Sequence, residues 1–258
     1  MLRGVPGHPR TLGRVTTTTE FDDQDRFDHV LGAVAAVLDP SLDVLDAMTR
    51  AVDACVRWTG SAEAGIVLAD RSGVLHVIAS TSERGIDAEE AQLGTNEGSC
   101  LDCYRTGGTI DVPDVSTKAA EWPTFVQTMS DRGLIGTFAE PIRLRTATIG
   151  CLCVFADHDR GHDDQDVVMI QLLADAASAA LARHRAQGTQ RTLDEQIADA
   201  LEARVLLEQA KGALAYRRDV QIDEAFRVLR DGAVRTGRGL RDVAADVIQH
   251  GADLRELA

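Results

Sequence analysis

Aromatic side chains are scarce. Six Phe, two Tyr and two Trp in 258 residues leave little material for an extended stacking surface. Lysine is scarcer still: of 27 basic residues only Lys118 and Lys211 are lysine, and 41 acidic residues bring the net charge to −14. That balance excludes a general coat for DNA or for an anionic membrane, so any nucleic-acid contact has to come from a local basic patch. No run approaches the ~20 uninterrupted apolar residues of a membrane span. Met1–Val15 lacks the apolar core of a signal peptide, so a cytoplasmic location is expected. No P-loop, nucleophile elbow, His-Glu-x-x-His pair or dinucleotide fingerprint occurs, nor a set of strand-ending aspartates suited to phosphotransfer. The chain therefore reads as a non-enzyme.

Five cysteines, Cys55, Cys100, Cys103, Cys151 and Cys153, are an odd number, and without a secretory signal they read as reduced thiols. Cys100-x-x-Cys103 and Cys151-x-Cys153 are the candidate ligand or redox residues. Three readings stand open for them: small core side chains, redox-sensitive thiols, or a four-thiolate metal or iron–sulfur site if the two motifs meet. The core reading is preferred and no metal is expected. The Cys-x-Cys pair is expected to offer only one of its thiols to a shared pocket. The run Asp157–Asp164 lacks the order of a calcium loop and reads as an acidic cap for the helix that follows. His76 is assigned no chemical role.

The rest of the chain alternates between two textures. Residues 1–21 read as a disordered tail ending in Thr16–Thr19. Phe27, Val30, Leu31, Val34 and Leu38 then recur at helical steps until Asp39-Pro40. A second helix is predicted over 42–58, with Gly60 ending it. Short β-branched runs at 64–69 and 74–80 flank Asp70-Arg71-Ser72-Gly73, a hairpin signal. Further strands are predicted at 109–112, 135–144 and 148–156, with short helices at 98–105 and 122–132. A long helix follows from Asp163 to about His184. This order predicts an α+β domain over 22–187, an antiparallel sheet with flanking helices. Residues 188–258 form a second unit whose stretch 193–250 has no strand signal and no proline. Its three predicted helices carry Ile197, Leu201 and Leu214, then Phe226 and Leu229, then Leu240, Val243 and Val247.

The second unit reads Glu202-x-Arg-x-x-Leu-Glu-Gln-Ala-Lys-Gly-Ala-Leu214, then Asp223-Glu-Ala-Phe-x-x-Leu-Arg-x-x-Ala233, then Arg238-x-Leu-Arg-Asp-Val-Ala244. All three blocks resemble the ANTAR domain, a helical RNA-binding module of bacterial antitermination regulators, over about 195–250. The resemblance implies contact with RNA stem-loops of nascent transcripts. Lys211, Tyr216, Arg217, Arg218, Arg230, Arg238 and Arg241 are the candidate RNA-binding residues. From Thr192 onward the net charge is −3 against −11 for the rest, so the arginines must share a face to bind phosphates. The alternative is a solvated helix surface paired with local acids.

The first unit resembles a GAF domain over about 40–187, most pointedly at Asn96-Glu97-Gly98-Ser99-Cys100-Leu101-Asp102. The resemblance implies a sensor whose unidentified small-molecule ligand binds between the sheet and the stretches 94–105 and 115–133. It also implies that two RNA hairpin loops are read together by a homodimer, stabilising an antiterminator. The helix over 163–187, with its stripe Ala174, Ala177 and Ala180, is the expected conduit and dimer seam. Two other readings remain: a thiol enzyme reducing free methionine sulfoxide, and a helical module for dimerisation or protein docking.

Overall fold

The computed structural model describes residues 23–159, 161–186 and 192–251; the expected tail at 1–21 lies outside them. Helix α1 (Asp23–Val37) leads into α2 (Val44–Thr59). The Asp43 carboxylate caps α2 by accepting from the Asp46 amide at 2.8 Å, and Gly60 ends it in the left-handed conformation at φ 65°. Strands β1 (Glu63–Ala69) and β2 (Leu75–Ser80) form the expected hairpin. Asp70 builds the turn, its Oδ1 accepting from the Ser72 and Val74 amides at 2.9 and 3.0 Å. The ring of His76 reaches Asp70 Oδ2 at 3.0 Å, so this histidine helps to hold the hairpin.

With β3 (Ile110–Val112), β4 (Gly136–Leu144) and β5 (Ala147–Ala156), the hairpin completes one antiparallel sheet of order β2-β1-β5-β4-β3. Side chains alternate along a strand, so the sheet feeds two cores. Ile66, Leu68, Ile78, Phe138, Leu152 and Val154 face α1, α2 and α6 (Asp164–Ala186). Val67, Val77, Ala139, Cys151, Cys153 and Phe155 face α3 (Glu83–Thr95), α4 (Ser99–Thr106) and α5 (Pro123–Asp131). With both faces covered, β1 is buried at every position, which is why its residues 64–69 read as an unbroken apolar run. Asp163 caps α6, accepting from the Gln165 and Asp166 amides at 2.9 and 2.8 Å, as the acidic run predicts.

Two expectations need correction. Helix α3 has no counterpart in the sequence reading, because its inward positions are Ile86, Glu89 and Gln92 and an apolar stripe is the signal that reading relies on. The stripe Ala174, Ala177 and Ala180 is no free dimer seam. It is at most 1% exposed and belongs to the core that α6 shares with α2. α6 is the one described helix long and apolar enough to cross a membrane, and its Ile170, Leu173 and Leu181 are closed inside that core.

The C-terminal region is helical throughout its described part: α7 (Leu193–Arg218), α8 (Ile222–Thr236) and α9 (Leu240–His250). A capping box starts α7, with Thr192 Oγ1 accepting from the Glu195 amide and the Glu195 carboxylate accepting from the Thr192 amide. Gly237, at φ 64°, closes α8. Leu207, Ala210, Leu214, Phe226, Leu229, Leu240, Val243 and Val247 form the core of this unit.

Candidate functional site

The candidate RNA-binding residues do not all lie on an open surface. Lys211, two turns before the end of α7, is 1% exposed. Its Nζ pairs with Glu83 at the start of α3, and with Glu208 one turn back at 2.6 Å, and it lies 5.0 Å from the Phe226 ring centre. Arg230 on α8 pairs with Asp53 on α2 and donates to the Thr81 carbonyl at 2.8 Å. Lys211 and Arg230, both beside the Phe226 ring, therefore meet carboxylates of the α+β domain. Further bonds close the same contact. The Glu83 amide donates to Asp223 Oδ1 at 3.1 Å, and the Leu240 amide donates to Asp46 Oδ1 at 2.7 Å. Arg204 reaches the Val77 carbonyl and, at 3.3 Å, Glu90. Arg71 of the β1–β2 turn pairs with Asp194.

The electrostatics of the contact are uneven. Burial pushes the Asp46 carboxyl up to about 6, and neighbouring Asp43 adds to the rise, while the Leu240 amide opposes it. Burial also raises Asp53, against the pull of Arg230. A cleft of about 670 Å³ runs between the two units, lined by Asp46, Arg50, Asp53, Arg230, Arg238 and Arg241.

The remaining candidates divide. Tyr216 is 90% exposed. Arg217 donates to the Val247 carbonyl at 2.8 Å, tying α7 to the end of α9, and Arg218 stands half-buried beside it. Arg238 is engaged with Asp246 at 2.5 Å, a bond that raises the arginine and lowers the aspartate. The structure thus gathers Arg230, Arg238 and Arg241 at one cleft, and leaves Tyr216 on open surface.

The cysteine motifs also meet, on the other side of the sheet. Cys100, Cys103, Cys151 and Cys153 are all 0% exposed, and the sulfurs of Cys100, Cys151 and Cys153 lie within 4.8 Å of one another. The expectation that the Cys-x-Cys pair offers one thiol fails for a simple reason: residues i and i+2 of a strand share a face. Cys103 belongs to the same core but not to the trio. Around the trio lies a polar network that the sequence reading did not find. Cys100 Sγ donates to Glu89 Oε2 at 3.2 Å, and the Cys151 thiol donates to the Cys100 carbonyl at 3.1 Å. Gln92 Nε2 donates to Glu89 Oε2 at 3.2 Å, while Gln92 Oε1 accepts from the Cys100 amide at 2.9 Å. Ser99 and Thr137 share a bond of 2.8 Å.

Burial pushes the Glu89 carboxyl well up, and the Cys151 and Cys153 thiols with it. Cys100 moves the other way, drawn down by the neighbouring Cys151 and Cys153 thiols. The space between sheet and helices, expected to hold a small molecule, is filled beside this cluster by Trp122, Phe125, Met129 and Phe155.

Over residues 41–182 the chain matches the family model described as a GAF domain, and over 195–248 the one described as an ANTAR domain. Among solved structures it is similar to the GAF domain of a phosphoenolpyruvate-protein phosphotransferase from Acinetobacter, at 14% identity. That match covers 66% of this chain and 100% of the other, with a TM-score of 0.52. It is similar, at 16% identity, to a free methionine-R-sulfoxide reductase from Neisseria meningitidis in complex with its substrate, covering 63% and 92% with a TM-score of 0.50. At these identities the likeness concerns the fold. No curated protein matches the chain.

Proposed function

This chain belongs to the GAF domain family and carries an ANTAR domain after it, and we propose on that basis that it is a sensor-controlled, RNA-binding regulator of transcription antitermination. The observation that carries the reading is the pairing of Lys211 with Glu83 and of Arg230 with Asp53. A guanidinium or ammonium held by a carboxylate can exchange it for a phosphate of similar geometry and charge. The sensor domain thereby occupies two of the cations an RNA backbone would use. Release of α7–α9 from α2 and α3 separates Lys211 from Glu83 and Arg230 from Asp53 and opens the cleft face that carries Arg241, beside an already open Tyr216 on which an unpaired loop base can stack. RNA and sensor compete for one surface.

The RNA partner in this reading is a pair of stem-loops in a nascent transcript, held by a homodimer so that a terminator does not form. With the alanine stripe of α6 closed inside the chain, the large apolar side chains left exposed among the described residues of that helix are Val168 and Leu172, 53% and 38% exposed and one turn apart. The signal is read by the GAF domain, and the protein works in the cytoplasm. An enzymatic role for the cysteines is not favoured, since each is closed to solvent.

The test is binding of the full chain to two-hairpin RNAs, with single hairpins as controls, at several salt concentrations. A preference for paired hairpins that weakens with salt, and weakens further in Arg238→Ala and Arg241→Ala, supports the reading. Absence of binding in every oligomeric state would leave a helical protein-docking module.

A further inference from the structure

The thiol cluster stands apart from the RNA-binding surface, and nothing in the reading above uses it. Three sulfurs converge within 4.8 Å from two separate elements, Cys100 on the first turn of α4 and Cys151 and Cys153 on β5. A fourth donor, Glu89 of α3, stands beside Cys100 but outside the set that converges within 4.8 Å. Glu89 is 0% exposed, and while its Oε2 is held by Cys100 and Gln92, its Oε1 has no hydrogen-bond partner among the described residues. A carboxyl oxygen left unpaired in a closed interior is unfavourable, and a core that only needed filling would place an apolar side chain there. The sheet also makes room for it. Gly65 of β1 pairs with Cys153 of β5, and a Cβ at position 65 would lie 2.6 Å from Glu89 Oε1.

We infer that Cys100, Cys151, Cys153 and Glu89 form a binding site for one thiophilic divalent metal ion, with Zn2+ the best fit. Three sulfurs and one carboxylate oxygen supply the four ligands of a tetrahedral site, and zinc accepts both donor types. With Zn–S bonds of about 2.3 Å the sulfurs of such a site lie about 3.8 Å apart, so the trio contracts by up to about 1 Å on binding, and the Glu89 carboxylate swings in from beside Cys100 to complete it. The proton balance is explicit: the ion enters as the thiols and the Glu89 carboxyl give up their protons to solvent, and four anionic ligands face a charge of +2. Gln92 orients both sides of the site, donating to Glu89 and accepting from the Cys100 amide, as outer partners of metal ligands do. Arg204 of α7 is the cation acting on Glu89, and it bonds the Val77 carbonyl of the sensor domain. Because the site is closed, loading accompanies folding or a slow local opening.

The experiment is metal analysis and native mass spectrometry of the full chain purified under reducing conditions, with Co2+ as a second, spectroscopic probe. The expected result is one Zn2+ per chain, and for the cobalt form the intense visible bands and near-ultraviolet sulfur-to-metal bands of a tetrahedral thiolate site. Cys100→Ser and Cys153→Ser abolish both, and Glu89→Gln weakens zinc affinity at least tenfold in competition with a chromophoric chelator. Cys55→Ser and Cys103→Ser, equally buried, retain one ion and show that losing a core thiol does not unfold the chain. Where a serine variant fails to fold, the wild-type chain decides alone. Folded, reduced wild type that takes up neither Zn2+ nor Co2+ overturns the inference. So does a disulfide between two of the three thiols in place of an ion, or a cobalt spectrum unchanged in Cys100→Ser.

Discussion

Replacing Glu83 by Gln together with Asp53 by Asn is the perturbation that bears most directly on control by docking. Both carboxylates belong to the sensor domain, and neither lies in the RNA-binding unit. Each becomes a neutral side chain of the same shape, so packing is preserved and only the charge is lost. Their partners keep other acceptors: Lys211 retains Glu208, and Arg230 retains the Thr81 carbonyl. No buried cation is stranded. Shielded hydrogen bonds between charged groups contribute about 1.5–3 kcal/mol, and exposed pairs about 0–1 kcal/mol. Glu83 is 30% exposed, so about 1 kcal/mol is the reasonable magnitude for its pair, while burial already works against the Asp53 charge, so its replacement adds little and about 1 kcal/mol stands for both. That shifts the docking equilibrium about fivefold toward release. When the docked state dominates, apparent RNA affinity rises by the same factor, because it scales with the competent fraction. Filter binding or gel shift at fixed ionic strength measures it. Removing two acids also raises affinity non-specifically, so Glu121→Gln with Asp131→Asn, on exposed positions remote from the contact, is the control. Tightening no greater than the control's, in a folded variant, refutes the reasoning.

Other expectations follow from particular groups. The Asp46 carboxyl, at about 6 against an ordinary 3.8, binds an extra proton in the docked fold between those values. Its contribution therefore strengthens docking as pH falls through about 6, and the strengthening is complete below about 3.8. Asp46→Asn removes that dependence and stabilises the chain by about 1–3 kcal/mol at pH 8, as thermal midpoints measured from pH 4 to 8 would reveal. Gly65→Ala sets a methyl against the Glu89 carboxyl and costs about 1–3 kcal/mol; adding Glu89→Ala recovers part of the loss in a denaturant titration if this collision is the cause. Tyr216→Ala changes stability by less than about 0.5 kcal/mol. It weakens RNA binding by about 1–3 kcal/mol if a base stacks on the ring, and an unchanged affinity would remove Tyr216 from the site.

The parts of the fold that local chemistry dictates are the parts the sequence makes legible. Gly60, Gly73 and Gly237 end or turn their elements with positive φ, and the apolar stripe of α2 packs as its spacing predicts. Helix α3 escapes detection because polar residues occupy its inward face. Its core-facing positions carry Glu89 and Gln92, so the residues that make the helix unusual also erase its signal. The same two residues complete the thiol cluster, which is why the cysteine motifs alone did not reveal it. The period-two rule, applied to Cys151 and Cys153, does place both thiols on one face. Burial of Lys211 has no local signature at all, since its partner Glu83 lies 128 residues away. Only the packing of α7 against α2 and β2 brings the two together.

Hydrogen exchange on the full chain, with and without a paired-hairpin RNA, tests the competition between sensor and RNA most directly. Two amides report the contact from either side: Glu83, bonded to Asp223, and Leu240, bonded to Asp46. On saturation with RNA both are predicted to exchange faster, while amides within the Phe226–Leu229 core of the helical unit keep their protection. RNA bound with the Glu83 and Leu240 amides as protected as before, or more so, would contradict the account.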